Sequence, residues 1–303
     1  MCLFPQPARL DDLSGRLKFD HHGNFKIPCG KCSECISKRA LEWATRARHE
    51  ISCHRENSFI TLTYDNDNLP SIFLVKIEFQ KFLKRLRKKL KRPIRYMVSH
   101  EYGSRTFRPH HHFILFGYNP SNQIFLKKTS KGESLFTSPE INSLWNKGFH
   151  SIGTANERTA YYIASYSLKG KKHNLTDPIT GELVTVSDCM DVSKRPAIGY
   201  NFFLKNYQQL LDSNSILPRY YLKKLQSIYP DLYEQYENDR TLKFKTRSSH
   251  EIYAKYIIDE SKSSQASEFR EYEPEVLKES THKKSRLLNN RDEYHRIKQS
   301  KGD

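Results

Sequence analysis

Alternating apolar and polar residues predict a set of β-strands in the middle of the chain. Each run is rich in β-branched and aromatic residues and ends at turn-forming residues or at a glycine. The strands are expected at Phe59–Tyr64, Ile94–His100, His110–Gly117 and Phe149–Thr154.

Apolar residues at helical spacing predict helices around these strands. Two long amphipathic helices are expected at Cys35–Ser52 and Val75–Lys91. Ser138, followed by a proline, begins a short helix, and Asn156 caps a further one. From the first strand onward the order is βαββαβα. This order predicts an α+β fold in which a central antiparallel β-sheet has flanking helices packed against one side.

Composition divides the chain into three regions. An N-terminal segment with cysteines and a helix covers residues 1–57, and the predicted sheet domain covers 58–210. Residues 211–303 form a charged extension, poor in large apolar residues towards its end, which is predicted to be helical to partly disordered. Within the sheet domain, 119–134 is predicted to be a loop and 171–186 a polar insertion.

The charge of the chain indicates a polyanionic partner. The formal net charge is +17 and the pI is near 9.5, so nucleic acid is the first candidate. A membrane surface is the alternative, but mean hydropathy is −0.77 and no apolar run approaches the roughly 18 residues of a spanning helix. The N-terminus lacks a signal-peptide pattern, so a cytoplasmic protein with no membrane partner is expected.

Positive charge is concentrated in the second long helix and in a loop at 190–200. Between Lys76 and Arg95, ten Lys and Arg residues face one acid, so 10 − 1 gives a surplus of +9. A surplus of this size favours phosphate binding that weakens with salt. The residues predicted to contact DNA are Lys84, Arg85, Arg87, Lys88, Lys194 and Arg195.

Three histidines begin one of the predicted strands. Because successive strand side chains point to opposite faces, His110 and His112 share a face and His111 takes the other. Glu101 ends the preceding strand and would lie beside the two imidazoles if these strands pair. Two histidines and one carboxylate predict a site for Mg²⁺ or Mn²⁺ with positions open to water or a phosphate oxygen.

Two tyrosines lie one turn apart in the helix that follows Asn156. Tyr162 and Tyr166 are therefore neighbours on one helix face, and Lys169 follows on the same side. Near a metal site, a tyrosine hydroxyl can attack a DNA phosphate and form a covalent intermediate. Tyrosine is a weak nucleophile near its free pKa of about 10, so the metal and a cation such as Lys169 are expected to assist.

Closely spaced cysteines near the N-terminus form a candidate structural zinc site. Cys29, Cys32 and Cys35 follow one another at the spacing of two consecutive C-x-x-C steps. Zinc prefers four ligands, and the fourth is left open between Cys2, Cys53, His21 and His22. The alternative is a group of reduced cysteines in the turn before a helix.

The histidine, glutamate and tyrosine motifs together resemble the HUH endonucleases, in the order of their rolling-circle replication initiators. More narrowly, the chain resembles the initiators of gokushovirus-type microviruses, which are small single-stranded DNA phages. The resemblance covers about residues 1 to 230. The motifs are Glu101-Tyr102-Gly103, Arg108-Pro109-His110-His111-His112, Tyr162-x-x-x-Tyr166-x-x-Lys169, Pro28-Cys29-Gly30-x-Cys32-x-x-Cys35 and Arg195-Pro196-x-Ile198-Gly199-Tyr200.

The resemblance implies origin-specific nicking of the viral strand, a 5′-phosphotyrosine intermediate and ligation of circular genomes in the cytoplasm of a bacterial host. The sequence contains no G-x-x-x-x-G-K-[ST] phosphate loop, so a host helicase and host replication machinery are expected partners. The family's middle histidine-motif position is usually bulky and apolar. His111 stands there, which leaves open a shifted register or a third imidazole near the ion.

Two other interpretations fit parts of the pattern. A plasmid-type relaxase or an HUH transposase would use the same chemistry for a different purpose, although paired tyrosines favour an initiator. A non-catalytic, zinc-stabilised nucleic-acid-binding protein would account for the charge and the cysteines. It would leave the histidine and tyrosine pairs unexplained.

Overall fold

The computed structural model describes residues 2–11, 14, 17–69, 76–103, 107–169, 172–177, 180–213 and 216–244. Side chains are described in these ranges except at 166–169 and 240–244. The predicted disorder in the charged extension falls on 245–303, outside the described residues.

The strands are β1 Gln6–Leu10, β2 Leu17–Phe19, β3 Phe25–Ile27, β4 Asn57–Tyr64, β5 Arg95–Tyr102, β6 Pro109–Phe116, β7 Ile124–Lys128, β8 Ser134–Thr137, β9 Gly148–Gly153, β10 Lys172–Thr176, β11 Leu183–Ser187 and β12 Cys189–Val192. The helices are α1 Ser33–Ser52, α2 Lys76–Leu90, α3 Pro139–Leu144, α4 Glu157–Lys169, α5 Tyr200–Asp212, α6 Arg219–Ile228 and α7 Pro230–Phe244. None of these helices is long and apolar enough to cross a bilayer.

The chain divides into two compact units, residues 1–36 with 231–303, and residues 37–230. The first unit contains a three-stranded antiparallel sheet in the order β2-β1-β3. Gly23 packs on the backbone of Ala8, whose carbonyl carbon would lie 2.2 Å from an added Cβ, so only glycine fits. These strands were not predicted, because most of their side chains are exposed and show no apolar alternation.

The second unit is built on a seven-stranded antiparallel sheet in the order β12-β5-β6-β4-β9-β8-β7. The four predicted strands are confirmed as β4, β5, β6 and β9. The predicted helices are confirmed as α1, α2, α3 and α4. The α+β fold with a central antiparallel sheet is therefore confirmed.

Segments expected to be irregular contribute further elements, and these expectations were wrong. The predicted loop at 119–134 contains β7, and the polar insertion at 171–186 contains the separate β10-β11 hairpin. The basic loop at 190–200 begins within β12, which pairs with β5. All five side chains of β7 are exposed at the sheet edge, so no apolar face marks that strand in the sequence.

Helices cover both faces of the sheet, which corrects the prediction that they pack against one side. Phe113 and Leu115 of β6 belong to a core shared with α2 and α3. Ile114 and Phe116 belong to a second core shared with α1 and α4. Because side chains alternate along a strand, β6 supplies both cores and is buried on both sides.

Glu50 of α1 is a buried carboxylate that joins three parts of this unit. Its Oε1 accepts a bond from Arg95 Nε at 2.6 Å and lies 3.1 Å from His54 Nε2. Its Oε2 accepts the backbone N–H of Gly199 at 2.8 Å. Gly199 has φ of +80°, and an added Cβ would lie 2.2 Å from the Tyr221 hydroxyl, so glycine is required where α5 begins.

Glu50→Gln is expected to destabilise the protein by about 3–5 kcal/mol near neutral pH, because it leaves the Arg95 guanidinium without its buried counter-charge. Burial alone would raise the pKa of Glu50, but the bonds from His54, Arg95 and Gly199 hold that pKa below 4.5. Its stabilising contribution is therefore present above pH 4.5 and lost as pH falls through the folded-state pKa.

Urea unfolding as a function of pH tests this expectation. The Glu50→Gln variant should lose less stability on acidification than the wild type, and exposed Glu56→Gln should follow the wild type. Equal stability of the Glu50 and Glu56 variants at pH 7 would contradict it.

Candidate metal and tyrosine site

The register of β6 between its two neighbours brings the predicted metal ligands together. Glu101 of β5 pairs directly with His110 of β6, as the sequence predicted for adjacent antiparallel strands. On the other side, Thr61 of β4 pairs with His112. Ligand atoms of Glu101, His110 and His112 all lie within 4.8 Å of one another.

The contacts of Glu101 and His110 leave ligand atoms available to a cation. His110 Nδ1 lies 3.1 Å from the Arg108 carbonyl oxygen, which can only accept, so Nδ1 carries the proton and Nε2 presents its lone pair. That Nε2 lies 3.8 Å from Glu101 Oε2. Glu101 Oε1 is buried and has no hydrogen-bond partner among the described residues. An orphaned carboxylate oxygen beside two imidazoles fits a hard divalent cation.

Burial sets the protonation of this cluster. It raises the pKa of Glu101 to about 7, and the nearby Asp188 carboxylate raises it further. Burial lowers the pKa of His112 to about 3 and the pKa of His110 below its usual value. Both imidazoles are therefore neutral at physiological pH, which is the form that binds metals.

Tyr162 of α4 places its hydroxyl at the same cluster. Its Oη lies 3.4 Å from His112 Nε2, and the two rings meet edge to face at 5.2 Å between centroids. Thr61 Oγ1 lies 2.8 Å from the other nitrogen of His112 and fixes the orientation of the ring. Phe59 stacks parallel to His112 and meets the Tyr162 ring edge-on.

The other residues predicted to take part in catalysis belong to the same helix. The backbone of α4 continues in helical form through Tyr166 to Lys169. The side chains of both residues lie outside the described part of the structure, so their predicted roles remain predictions. Tyr162 is thus the predicted nucleophile with a described position, on the sheet face that carries His110 and His112.

Asp188 was missed by the sequence interpretation. Its Oδ1 accepts the backbone N–H of Tyr102 at 3.1 Å and lies 3.4 Å from His173 Nε2, and both side chains are buried. It affects the pKa values of Glu101 and His110, so it belongs to the electrostatic surroundings of the cluster. Asp188 lies in a polar stretch far along the chain, and no local signal connects it to the histidines.

His111 points to the opposite face of the sheet, which excludes both explanations left open for this unusual residue. The register is the predicted one, and His111 is not beside the ion-binding group. Its Nδ1 lies 2.8 Å from His100 Nδ1, and its Nε2 lies 3.2 Å from the Tyr64 hydroxyl. His100 Nε2 lies 3.6 Å from the Asp191 carboxylate.

These contacts define one consistent set of proton positions. The carboxylate of Asp191 favours a proton on His100 Nε2, so His100 Nδ1 accepts. His111 must then donate from Nδ1, and its Nε2 accepts from the Tyr64 O–H. Burial lowers the pKa of both histidines and raises that of Tyr64, which agrees with neutral rings and a protonated phenol.

His111→Leu is expected to cost about 2–4 kcal/mol, because Tyr64 and His100 would each keep a buried polar atom without its partner. Adding Tyr64→Phe should cost less in this background than in the wild type, since the hydroxyl has already lost its acceptor. Chemical denaturation of the two single variants and the double variant measures the coupling. Additive losses, or weakened Mn²⁺ binding by folded His111→Leu protein, would contradict this structural role.

Comparison with known proteins assigns the family. A family profile for replication-associated proteins of the ORF2 type matches residues 57–171. Replication-associated protein VP4 of Bdellovibrio phage phiMH2K is 33% identical over 239 residues, which cover 73% of this chain and 74% of that protein. The chain belongs to this family of phage replication-associated proteins.

Two further relatives from small phages support the same family. Replication-associated protein ORF2 of Spiroplasma virus 4 is 30% identical, with 79% of this chain and 82% of that protein covered. Replication-associated protein ORF4 of Chlamydia phage 1 is 29% identical, with 77% and 63% covered. No solved structure matches. The profile segment runs from β4 past α4, so it includes every ligand and tyrosine discussed above.

The positive surface of this replication-associated protein differs from the predicted one. Arg85 donates two bonds to the Leu144 carbonyl, and Arg87 donates one to the Ile94 carbonyl. The charges counted as uncompensated are partly paired with acids from the same and other elements. The pairs are Lys76–Asp191, Lys81–Glu78, Lys89–Glu140 and Arg95–Glu50.

The other residues predicted to bind DNA are exposed. Lys84 and Lys88 are exposed on α2, which packs on the sheet face opposite to His110 and His112. Lys194 and Arg195 are exposed after β12. Contact of α2 with DNA would therefore occur away from the tyrosine site.

Proposed function

We propose that this protein is a site- and strand-specific DNA endonuclease and ligase of the HUH type, which initiates rolling-circle replication of a single-stranded DNA phage genome in the cytoplasm of its bacterial host. The observation that carries the proposal is the 3.4 Å contact between Tyr162 Oη and His112 Nε2, within a group of one carboxylate and two imidazoles. Membership of a phage replication-associated family supports the biological role.

Glu101, His110 and His112 would hold Mg²⁺ or Mn²⁺. When bound, such an ion polarises the scissile phosphate and orients it. The protein contributes the fixed ligand geometry: Thr61 orients His112, and the Arg108 carbonyl orients His110. The burial of the three residues keeps the imidazoles neutral and leaves Glu101 without a competing hydrogen bond at Oε1.

The phenol oxygen of Tyr162 attacks the scissile phosphorus while the bond to the 3′ oxygen breaks. The proton lost by the phenol is balanced by the proton gained by the released 3′-hydroxyl. The product is a 5′-phosphotyrosine, which conserves the phosphodiester energy, so a 3′-hydroxyl can later reverse the step and close a circle. Tyr166 would perform the second cleavage, with Lys169 as the nearby cation.

The proposed partners follow from this reaction. The DNA substrate is single-stranded or locally opened origin DNA, bound in part by Lys84, Lys88, Lys194 and Arg195. Strand separation would be performed by a host helicase together with the host replication machinery.

Incubation with a randomised pool of single-stranded oligonucleotides and Mn²⁺, followed by denaturing electrophoresis, tests the proposal. An SDS-resistant adduct is expected, and sequencing of the trapped strands would give the cleavage site. Binding without an adduct would favour the non-catalytic nucleic-acid-binding alternative. A relaxase or transposase would also form the adduct but would fail to release ligated circles from a plasmid that carries the trapped site.

A further inference from the structure

Four cysteines of the N-terminal unit form a second cluster that the proposed reaction does not use. The sulfurs of Cys2, Cys29, Cys32 and Cys35 all lie within 4.8 Å of one another. Cys2 thus joins the three predicted cysteines. Neither Cys53 nor His21 and His22 belong to this group, so the question of the fourth ligand is answered by Cys2.

Sulfur separations distinguish a metal site from the other arrangements that cysteines adopt. Four thiolates about 2.3 Å from a single tetrahedral ion lie roughly 3.8 Å apart. Cys2 Sγ and Cys32 Sγ are 3.9 Å apart, which agrees with this value. A disulfide would require about 2.05 Å between the sulfurs, and all four cysteines are free thiols.

The backbone around Cys29 is arranged to stabilise a thiolate. Cys29 Sγ accepts the backbone N–H of Cys32 at 3.4 Å and a further one from Lys31. Gly30, with φ of +72°, makes the turn that points both amides at the sulfur. Cys29 in turn donates its own N–H to Cys2 Sγ at 3.1 Å. Such N–H···S bonds supply the partial positive charge that a cluster of thiolates needs.

We propose that Cys2, Cys29, Cys32 and Cys35 bind one Zn²⁺ in a closed, tetrahedral, structural site. Four protein ligands leave no open position, so this ion would not take part in the DNA reaction. It would join the start of the chain, the turn at Gly30 and the first turn of α1, which contains Cys35. A unit whose small sheet buries few side chains needs such a cross-link, because a single small core supplies little stability.

The test measures metal content and ligand type in the full-length protein. Purified protein is expected to contain about one zinc per chain, and Cys32→Ser is expected to lose it. Cys53→Ser is the matched control, since Cys53 is exposed and outside the cluster, and it should keep the zinc. Protein with Glu101→Gln and His112→Ala should also keep the zinc, which separates this site from the proposed catalytic one.

Cobalt substitution keeps the test decisive even if Cys32→Ser fails to fold. Wild-type protein loaded with Co²⁺ should show intense tetrahedral d–d bands and a sulfur-to-metal charge-transfer band. Metal-free protein with reactive thiols, iron with acid-labile sulfide, disulfides, or a cobalt spectrum without sulfur ligation would each overturn the proposal.

Discussion

Tyr162→Phe is expected to lower the rate of covalent DNA adduct formation by on the order of 10³-fold or more, because it removes the attacking atom. The substitution keeps the ring that meets Phe59 and His112 edge to face, so the fold and the metal cluster should be retained. Affinity for the same oligonucleotide without covalent attachment should be unchanged. Tyr162 thus separates binding from chemistry.

Adduct formation can be followed by denaturing electrophoresis under single-turnover conditions, with Tyr161→Phe as the matched control. Tyr161 is the neighbouring residue of α4 and packs with its apolar core, so its variant should react like the wild type. Mass spectrometry of the wild-type adduct is expected to find the first nucleotide on Tyr162. An adduct on Tyr166 in both the wild type and Tyr162→Phe would show that Tyr162 is not the first nucleophile.

The metal cluster was predictable because its geometry is local. The period of two along β6 put His110 and His112 on one face, and a short connection from β5 made antiparallel pairing the natural arrangement. The residue pattern alone was therefore enough to place Glu101 beside His110. The helix of Tyr162 was equally predictable from its periodicity and its Asn156 cap, whose Oδ1 accepts the Thr159 N–H at 2.9 Å.

What the sequence did not reveal depends on pairing between distant segments. β12 pairs with β5 across a long separation, and it brings Asp191 to His100 and Asp188 near Glu101. No local pattern indicates such a pairing. The role of His111 could not be predicted for this reason, since its neutral, buried state depends on a hydrogen-bond chain that ends on β12.

The basic surface shows the same limit in its electrostatics. Counting charges along α2 gave a surplus that ignores acids brought to it from other elements, such as Glu140 and Asp191. Arginines use part of their hydrogen-bonding capacity on backbone carbonyls, as Arg85 does on Leu144. Exposed Lys84 and Lys88 are the α2 residues from the prediction that keep solvent-facing charge.

Glu101→Gln is expected to lower Mn²⁺ affinity by at least about 100-fold, because it replaces an anionic ligand with a neutral amide of the same shape. Adduct formation should fall in parallel and should vanish in wild-type protein treated with EDTA, returning when Mn²⁺ is added. Isothermal titration with Mn²⁺ measures the affinity. Manganese prefers oxygen and nitrogen ligands, so the N-terminal thiols should not contribute to the signal.

The same variant distinguishes a metal ligand from a residue that merely supports the fold. In the metal-free protein Glu101 is a buried carboxylate with an unpartnered oxygen, and burial raises its pKa to about 7. Its ionised form therefore costs stability, and Glu101→Gln should unfold at the same or a higher temperature than the metal-free wild type. Exposed Glu182→Gln should change neither stability nor Mn²⁺ binding. A destabilised Glu101→Gln that binds Mn²⁺ like the wild type would exclude Glu101 as a ligand, whereas lost binding with undiminished stability is what a carboxylate held in readiness for a cation requires.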